Sequence, residues 1–397
     1  MAFSSYPPLG FYIHLPWCEQ KCSYCDFNSH KSRTVPEQDY VNALLHDLEQ
    51  DLPLIWGRSI DSIFIGGGTP SLFSGAAIEQ LFCGLRALLN FKPGIEITLE
   101  ANPGSADIEH FRAYRETGIN RLSIGVQSFN DIFLAALGRV HNADLAVQAF
   151  HAARAAGFDN INLDLMYGLP AQTVPQALAD LEQAIQLAPE HLSHYQLTIE
   201  PNTRFYQQPP AQMPDDDLSW QQQSACQALL AKAGYHQYEI SAYSRDQRWM
   251  CQHNRHYWQF ADYIGIGAGA HGKITLMGEN RVIRRVRQRQ PKAYLKNAGR
   301  GGIIREKCLQ TDDLVFEFML NALRLTDGFE TSLFTRNTGL SLSEILPTLN
   351  AAQAQGLIQF DTERICPSER GLRYLNDLQG MFLDHQPLGD QTFFRSN

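Results

Sequence analysis

The stretch GFYIHLPWCEQKCSYC, residues 10–25, sets an apolar β-type run directly before a group of cysteines. Its opening run, GFYIHLP, predicts a short buried strand. Cys18, Cys22 and Cys25 follow at once, in the spacing C-x3-C-x2-C. In a reducing compartment, thiols this close together bind metal more often than they form disulfides. The stretch therefore predicts a metal-binding loop at the end of a first strand.

Three thiolates from one loop suit a [4Fe–4S] cluster, because three ligands hold the cube and leave one iron without a protein ligand. That iron can take an exogenous chelator, and the amino and carboxylate groups of an amino acid suit it. The alternative is a structural zinc site, which normally needs a fourth Cys or His ligand. His14 and His30 flank the loop, so zinc stays open, although the spacing favours the cluster.

From residue 10 to about 200, short β-rich runs alternate with helical patterns. Strands that alternate with helices form parallel, right-handed βαβ units. Because no seventh and eighth unit is evident, the predicted fold class is α/β, an incomplete (β/α)6 barrel that is open on one side. An open doubly wound sheet is the competing arrangement. The predicted strands are GFYIHLP (10–16), SIFIGGG (62–68), IEITLEA (95–101), RLSIGVQ (121–127), INLDLMYG (161–168) and HLSHYQLTIE (191–200).

The clearest helical pattern between these strands runs from Glu37 to Leu52. Its apolar residues recur at the spacing of one helix face. Thr34 followed by Glu37 predicts a capping box at its start, because the two side chains can satisfy each other's free backbone N–H groups.

The rest of the chain predicts two further regions after a first domain of residues 1–205. Residues 206–305 are predicted to be a barrel extension, with a helix from Leu218 to Ala233 and a strand at 238–244. Residues 306–397 favour a winged-helix-like α+β domain. Its predicted elements are helices at 312–326, 343–356 and 368–383 and a strand pair around LIQF and RICP.

Composition excludes several classes of protein. The 397 residues are 44% hydrophobic and 19% charged, which is typical of a globular chain and not of a disordered one. A net charge of −9 excludes a global nucleic-acid footprint, and no apolar run is long enough for a membrane span. The N-terminal segment lacks the pattern of a secretory signal. We expect a cytoplasmic protein with no membrane span and no nucleic-acid partner.

Polar residues follow the predicted strands where each strand ends. The glycines of GGGTPS, Gly66–Ser71, let the backbone approach a ligand closely. Glu100, Gln127 with Ser128, and Asp164 follow later strands. A buried acid in an apolar strand is costly unless it is paired, so each residue could simply satisfy a loop amide or an Arg. Together, at the face where βα barrels bind ligands, they favour a ligand site.

In their order, these motifs resemble those of a known family. YIHLPWCEQKCSYCDFNSH, IFIGGGTPS, LEANPG, SIGVQSF, LGRVHN and NLDLMYGLP are similar to the successive motifs of radical S-adenosylmethionine (SAM) proteins of the coproporphyrinogen-oxidase-like group. CQHNRHYW (251–258), DYIGIGAGAHG (262–272) and the C-terminal region resemble the HemW branch, the haem chaperones. The resemblance covers essentially the whole chain. It implies a radical SAM barrel whose cofactors are a [4Fe–4S] cluster, SAM and haem.

The resemblance also implies roles for single residues. Cys18, Cys22 and Cys25 would bind the cluster. A sulfonium cation and ribose hydroxyls favour carboxylates and amides, and the SAM carboxylate favours an Arg. The residues implied to line the SAM site are Tyr12, Tyr24, Gly67, Gly68, Thr69, Glu100, Gln127, Arg139 and Asp164.

Two functions are open within this group. One is a haem chaperone that delivers haem to acceptor proteins. The other is the oxygen-independent coproporphyrinogen III oxidase, in which a radical formed from SAM starts the decarboxylation of propionate side chains. The oxidase pattern has a fourth cysteine where this chain has Phe27, and a longer N-terminal arm before the first cysteine. Both departures favour the chaperone, and oxidase activity is not expected.

The haem ligand that the resemblance implies is His253, in HNRHYW. An imidazole is a common axial ligand of haem iron, and Tyr257 and Trp258 could pack against a porphyrin. Without the family, a lone His is more often an ordinary hydrogen-bonded side chain. Cys251 is a rival ligand, or a small buried residue.

The stretch RVIRRVRQRQPK (281–292) places six cations within twelve residues. It predicts either a solvated strand or hairpin, which is slightly favoured, or a dock for haem propionates or an acidic partner. The candidate recognition helix of the C-terminal domain, SEILPTLNAAQAQG, contains no Lys or Arg, so DNA binding is not expected. Whether SAM is cleaved, which protein accepts the haem, and the oligomeric state, a dimer included, stay open.

Overall fold

The structure, a computed structural model, describes residues 2–105, 107–298 and 303–383. Its largest element is one twelve-stranded mixed sheet with the order β12-β11-β10-β9-β1-β2-β3-β4-β5-β6-β8-β7. The strands are β1 (Leu9–Leu15), β2 (Ser59–Gly67), β3 (Asn90–Ala101), β4 (Arg121–Gln127), β5 (Ile161–Tyr167), β6 (His191–Gln196), β7 (His236–Glu239), β8 (Ala242–Ser244), β9 (Asp262–Ile266), β10 (His271–Leu276), β11 (Arg281–Arg287) and β12 (Ile303–Cys308).

Seven neighbouring strands of this sheet, β9 and β1–β6, run parallel. The six predicted strands lie side by side in chain order, so the reversal of strand order that a doubly wound sheet requires is missing. Within the described residues the edge strands β7 and β12 do not pair with each other, so the barrel is open. The predicted incomplete α/β barrel is confirmed, with β9 as an additional parallel strand that the sequence analysis did not identify.

Helices connect the parallel strands, as the alternating pattern predicts. Within the described residues, no helix is long and apolar enough to cross a bilayer. The helices are α1 (Glu37–Glu49), α2 (Gly75–Leu88), α3 (Ile108–Glu116), α4 (Asp131–Leu137), α5 (Ala143–Ala155), α6 (Val174–Leu187), α7 (Arg204–Gln207), α8 (Asp216–Lys232), α9 (Gln252–Trp258), α10 (Pro291–Asn297), α11 (Thr311–Ala322), α12 (Thr331–Thr338), α13 (Leu346–Ala354), α14 (Glu369–Arg373) and α15 (Leu375–Gly380).

Alternate residues of each parallel strand face opposite sides of the sheet. In β1, Phe11 and Ile13 are fully buried in the main apolar core, which lies between the sheet and its helices. Tyr12, between them, instead lies against His253 inside the barrel. On the same inner side, Glu100 and Asp164 line a cavity. The apolar side thus holds the barrel together, and the polar inner side is left for a ligand.

The start of α1 differs from the prediction. Its N-cap is Pro36, and no side chain caps it. The carboxylate of Glu37 instead accepts hydrogen bonds from N and Oγ of Ser74, at 3.0 and 2.5 Å. The predicted capping box of Thr34 and Glu37 is wrong, because Glu37 bonds to the start of α2, a contact that a local pattern does not reveal.

The basic stretch 281–292 forms β11 and the start of α10. The predicted strand is confirmed, and Arg289 and Lys292 are exposed, but the arginines in the middle of the stretch are not solvated. Arg287 is 1% exposed, and its Nη2 lies 2.5 Å from Asp51 Oδ2. Arg284 Nη2 lies 2.5 Å from Glu317 Oε2. These arginines therefore tie β11 to neighbouring elements.

Two other predicted elements are each divided in the structure. The strand predicted at 238–244 is the hairpin β7–β8, because the chain turns at Ile240 and Ser241. The helix predicted at 368–383 is α14 and α15, which are separated at Tyr374. Both differences are local breaks within segments whose apolar spacing is otherwise continuous.

The C-terminal region has its own apolar core, which includes Phe318, Phe334 and Leu349. The helices α11–α15 surround it together with a small antiparallel sheet of order β13-β15-β14. These strands are β13 (Phe329–Glu330), β14 (Ile358–Phe360) and β15 (Arg364–Pro367). Residues 384–397 of the predicted third domain lie outside the described residues, and the three domain boundaries stay predictions.

Candidate functional site

A cavity of about 1040 Å³ lies at the carboxyl ends of the parallel strands. This is the face at which βα barrels carry their active sites. Two predicted site residues, Tyr12 and His253, are not part of its lining. The predicted site residues that do line it are Cys18, Cys22, Cys25, Tyr24, Gly67, Gly68, Thr69, Glu100, Gln127, Arg139 and Asp164.

The three cysteines reach the cavity from one loop after β1. Trp17–Cys18 forms a two-residue parallel pair with His30–Lys31, which fixes both ends of the loop. Between them, Cys25 N donates to Cys22 O at 3.3 Å. Burial raises the pKa of the Cys25 thiol to about 11, and it also raises that of Cys18. The buried thiols thus favour the neutral form until a cation is bound, since a metal ion deprotonates a coordinating thiol.

The glycines after β2 let this loop pack closely against the strand end. Gly68 N donates to Leu15 O at 2.8 Å, and Thr69 N donates to Trp17 O at 2.8 Å. A Cβ atom on Gly68 would lie 2.5 Å from Trp17 O and 3.0 Å from Cys18 Sγ. Any other residue would therefore push the cysteine loop away.

Arg139 and Gln127 form the next part of the lining. Arg139 Nη2 donates to Gly125 O at 2.6 Å, and its Nη1 lies 3.5 Å from Cys22 Sγ. Gln127 has a φ of +70°, which is uncommon for a residue with a side chain. Its Oε1 accepts a hydrogen bond from Tyr195 at 2.7 Å. A strained backbone held in this way is typical of functional sites.

Two carboxyl groups lie at the base of the cavity. Burial, and then the charge of Asp164, raise the pKa of Glu100 to about 8. Burial also raises the pKa of Asp164, and hydrogen bonds from Asn162, Ser193 and Ser123 oppose that shift. Burial disfavours the charged form of both acids, and the charge of Asp164 disfavours a charge on Glu100. The site therefore suits a positively charged ligand.

His14 and His30, the two histidines considered as a fourth zinc ligand, make hydrogen bonds away from the thiols. His14 Nε2 lies 3.0 Å from Asn28 O, and its Nδ1 lies 3.0 Å from Tyr12 Oη. His30 Nε2 lies 3.2 Å from Asn28 Oδ1. In the described part of the chain, no three His, Cys, Asp or Glu side chains converge on one ion position. The donor set fits a cluster, whose ligands are spread over several irons, better than a single zinc.

The structure brings Tyr12 and His253 together below the cavity. Their ring centroids are 6.3 Å apart, and His253 also stacks on Phe64 at 5.1 Å. His253 is 2% exposed, and its Nδ1 lies 3.2 Å from Ser62 Oγ. Its Nε2 has no hydrogen-bond partner among the described residues. The helix α9 thus holds this imidazole inside the barrel.

Another part of the cavity wall comes from α9 and the C-terminal helices. Trp258 contributes, together with Asn321, Arg324, Asn376 and Gln379, four residues that the sequence analysis missed. Arg324 lies 4.3 Å from the centre of the Trp258 ring. No sequence pattern places these residues here, because only the packing of the C-terminal region against the barrel brings them to the cavity.

Two family profiles and three relatives match the sequence of this chain. Residues 12–184 match the profile of the Radical SAM superfamily, and residues 309–374 match the HemN C-terminal domain. The chain is 47% identical to "Heme chaperone HemW" of Escherichia coli (strain K12) over 95% of this chain and 98% of that protein. It is 34% identical to the protein of the same name from Bacillus subtilis (strain 168), over 94% and 98%. "Radical S-adenosyl methionine domain-containing protein 1, mitochondrial" from Mus musculus is 35% identical over 93% and 86%.

Among solved structures, the chain is similar to coproporphyrinogen III oxidase (HemN) from Escherichia coli. The TM-score is 0.80, and the match covers 96% of this chain and 91% of that one at 24% identity. At this identity the similarity shows a shared fold and leaves the activity open.

Proposed function

Because the chain belongs to the HemW family within the radical SAM superfamily, we propose that it is a haem chaperone, which binds haem, a [4Fe–4S] cluster and SAM and delivers the haem to acceptor proteins. The observation that carries this proposal is the near-full-length similarity to proteins named heme chaperones. The polar cavity, which brings together the three predicted cluster cysteines and eight of the nine predicted SAM residues, supports it.

The cluster would be held by Cys18, Cys22 and Cys25. When bound, it supplies an iron with an open coordination position beside the cavity. The guanidinium of Arg139, 3.5 Å from Cys22 Sγ, would offset part of the negative charge of the thiolates. The backbone of Gly67 and Gly68 would leave room for a ligand of that iron.

SAM would lie between the cluster loop and the two buried acids. Glu100, Gln127 and Asp164 would contact its cationic and ribose parts, and Arg139 its carboxylate. A cavity of about 1040 Å³ is larger than one such ligand needs. We therefore place part of the haem in the same cavity, next to Trp258.

The iron of the haem would be bound by His253. Its Nε2 carries no hydrogen bond to any described residue, so this nitrogen can bind iron in the tautomer that keeps the proton on Nδ1, beside Ser62. The imidazole is 2% exposed, so α9 has to move away from β1 and β2 before haem iron can reach it. Cys251, the rival ligand, is less suitable, because the residue is 0% exposed and its Sγ already lies 3.6 Å from Glu96 Oε1.

The alternative function is that of coproporphyrinogen III oxidase, and this chain lacks one feature of the oxidase pattern. Phe27 lines the cavity at the position where the oxidase pattern has a fourth cysteine, and a phenyl ring cannot supply a sulfur ligand. We therefore expect no oxidase activity.

The test is anaerobic incubation of the reconstituted protein with coproporphyrinogen III, excess SAM and dithionite. We expect no decarboxylated product from this chain, whereas HemN assayed in parallel turns the substrate over. The same preparation should bind haem. Turnover of coproporphyrinogen III by this chain would overturn the proposal.

The acceptor is proposed only as a haem-binding protein. A cytoplasmic location is also a proposal. It is supported by the eight cysteines, which are all free thiols, as a reducing compartment would maintain them.

A further inference from the structure

Two side chains donate hydrogen bonds to Asp164 from the neighbouring strand positions. Asn162 Nδ2 donates to Asp164 Oδ1 at 2.8 Å, and Ser123 Oγ donates to Oδ2 at 3.0 Å. Asn162 Nδ2 also donates to Ser123 Oγ at 2.8 Å, which joins the two donors. Each carboxylate oxygen therefore accepts a hydrogen bond from a fixed side-chain donor, and further lone pairs remain for a ligand in the cavity.

The orientation of the Asn162 amide is fixed from its other end. Asn162 Oδ1 accepts hydrogen bonds from His191 Nδ1 at 2.6 Å and from Ser193 Oγ at 3.1 Å. If the amide were flipped, its oxygen would face the Asp164 carboxylate, and its NH₂ group would face the N–H of His191 Nδ1. Two donors on one oxygen thus hold the NH₂ group towards Asp164.

The tautomer of His191 is fixed by Tyr238. His191 Nε2 lies 2.8 Å from Tyr238 Oη, which itself accepts a hydrogen bond from Cys251 N at 3.2 Å. Burial, and then the charge of Arg121, lower the pKa of His191 well below its usual value, so the ring is neutral. Of the two partners that the structure gives Tyr238 Oη, Cys251 N can only donate, so a donating Tyr238 hydroxyl has His191 Nε2 as its acceptor and leaves the proton of the neutral ring on Nδ1. The hydrogen bonds thus form one series from Cys251 N through Tyr238, His191 and Asn162 to Asp164, and in each of them the donor is on the Cys251 side.

We infer that Asn162 is a positioning residue for Asp164, and that His191 holds the Asn162 amide in the orientation that donates to this carboxylate. This inference rests on the proposed function, in which Asp164 contacts SAM. Water cannot easily replace these donors, because Asn162 is 1% exposed, His191 0% and Tyr238 4%. The positions are also in register: Ser123 and Asn162 pair across β4 and β5, and Asn162 and His191 pair across β5 and β6.

The test compares two variants of His191, each of which keeps one of the two hydrogen bonds that the imidazole makes. In His191→Asn, the side-chain amide nitrogen takes the place of Nδ1, so the donor to Asn162 is kept and the contact with Tyr238 is lost. In His191→Gln, the longer amide reaches Tyr238 but not Asn162. Both variants remove the ring, and the melting temperature of each reports the accompanying change in packing.

SAM affinity is measured on cluster-loaded protein by equilibrium binding, with iron content and melting temperature recorded for each variant. We expect His191→Gln to weaken SAM binding about tenfold, and His191→Asn to stay within about twofold of wild type. Asp164→Ala serves as the reference for the loss of the carboxylate itself. Equal SAM affinities for His191→Asn and His191→Gln, at matched iron content, would overturn the inference.

A second measurement does not depend on either variant folding. The ¹⁵N chemical shifts of histidine side chains distinguish the two neutral tautomers, and wild-type His191 should carry its proton on Nδ1. A protonated ring, or a proton on Nε2, would overturn the inference alone. If wild type binds no SAM, or Asp164→Ala binds it as well as wild type does, the proposed SAM site fails first, and the inference fails with it.

Discussion

At the scale of single residues, the proposed cluster depends on each of the three cysteine thiols of the loop after β1. Replacement of Cys18, Cys22 or Cys25 by Ala should abolish the broad iron–sulfur absorbance of the anaerobically reconstituted protein, because the cluster would lose one of its three protein thiolates. Cys83→Ala is the matched control, since Cys83 is exposed on α2. Absorbance, iron and acid-labile sulfide are measured on each protein. One bound zinc without labile sulfide in wild type would contradict the cluster.

Glu100 should make the ligand-free protein less stable as the pH rises. Burial, and then the charge of Asp164, raise its pKa to about 8 in the folded protein, from a usual value of 4.5. Between these values the folded state keeps a proton that the unfolded state has released. The stability from this group is thus fully present below about pH 4.5 and is lost as the pH rises through about 8.

The comparison is between wild type and Glu100→Gln, which keeps the shape of the side chain without its titration. The free energy of unfolding of wild type should fall relative to the variant between pH 5.5 and 8.5, by at most about 1.4 kcal/mol per pH unit. Urea unfolding at several pH values measures it. Parallel pH curves for the two proteins would contradict a neutral Glu100 in the empty site.

At the scale of elements, ion pairs join the strands after β9 to the first helix. Arg287 Nε lies 3.1 Å from Asp47 Oδ2, and its Nη2 bonds to Asp51. Removal of a buried partner leaves uncompensated charge, so Arg287→Met should destabilise the protein by about 3–5 kcal/mol. Urea unfolding measures the change.

The matched control lies on the same strand. Arg281 pairs with Glu279 at 2.6 Å, and both side chains are largely exposed. Arg281→Ala should therefore cost about 0–1 kcal/mol. If Arg281→Ala and Arg287→Met lowered the free energy of unfolding by similar amounts, burial of the Arg287 ion pairs would contribute little to stability.

The elements that the sequence predicts well are those with local signals. The six strands β1–β6 are short apolar runs that end in turns, and their polar ends supply most of the candidate site. The strand β9 has a similar run, but its parallel pairing, Leu9 with Asp262, joins distant parts of the chain. The wall residues Asn321 and Arg324 depend on the same kind of long-range packing. The inward position of Ser123 and Asn162 was predictable in principle, because side chains two positions apart on a strand face the same side. Ser123 lies two positions before Gly125, and Asn162 lies two positions before Asp164, and both of these residues line the cavity.

At the scale of the whole molecule, the barrel differs from a closed one in how its interior is filled. Closed barrels pack branched apolar side chains inside. Here the apolar core lies outside the strands, and polar groups such as Glu96, Asn162 and Asp164 occupy the inner side. The open barrel and the C-terminal helices together enclose one large cavity. This arrangement suits a protein that holds ligands and releases them.

An anaerobic haem titration of the cluster-loaded protein, followed by its Soret absorbance, tests the proposed function most directly. We predict saturation at about one haem per chain, with the spectrum of an imidazole-ligated iron. His253→Ala should lose or shift that band. His256→Ala, the matched control that shares Ser62 with His253, should change it less. An unchanged band in His253→Ala would move the ligand elsewhere, and the absence of saturable haem binding by wild type would contradict the haem chaperone.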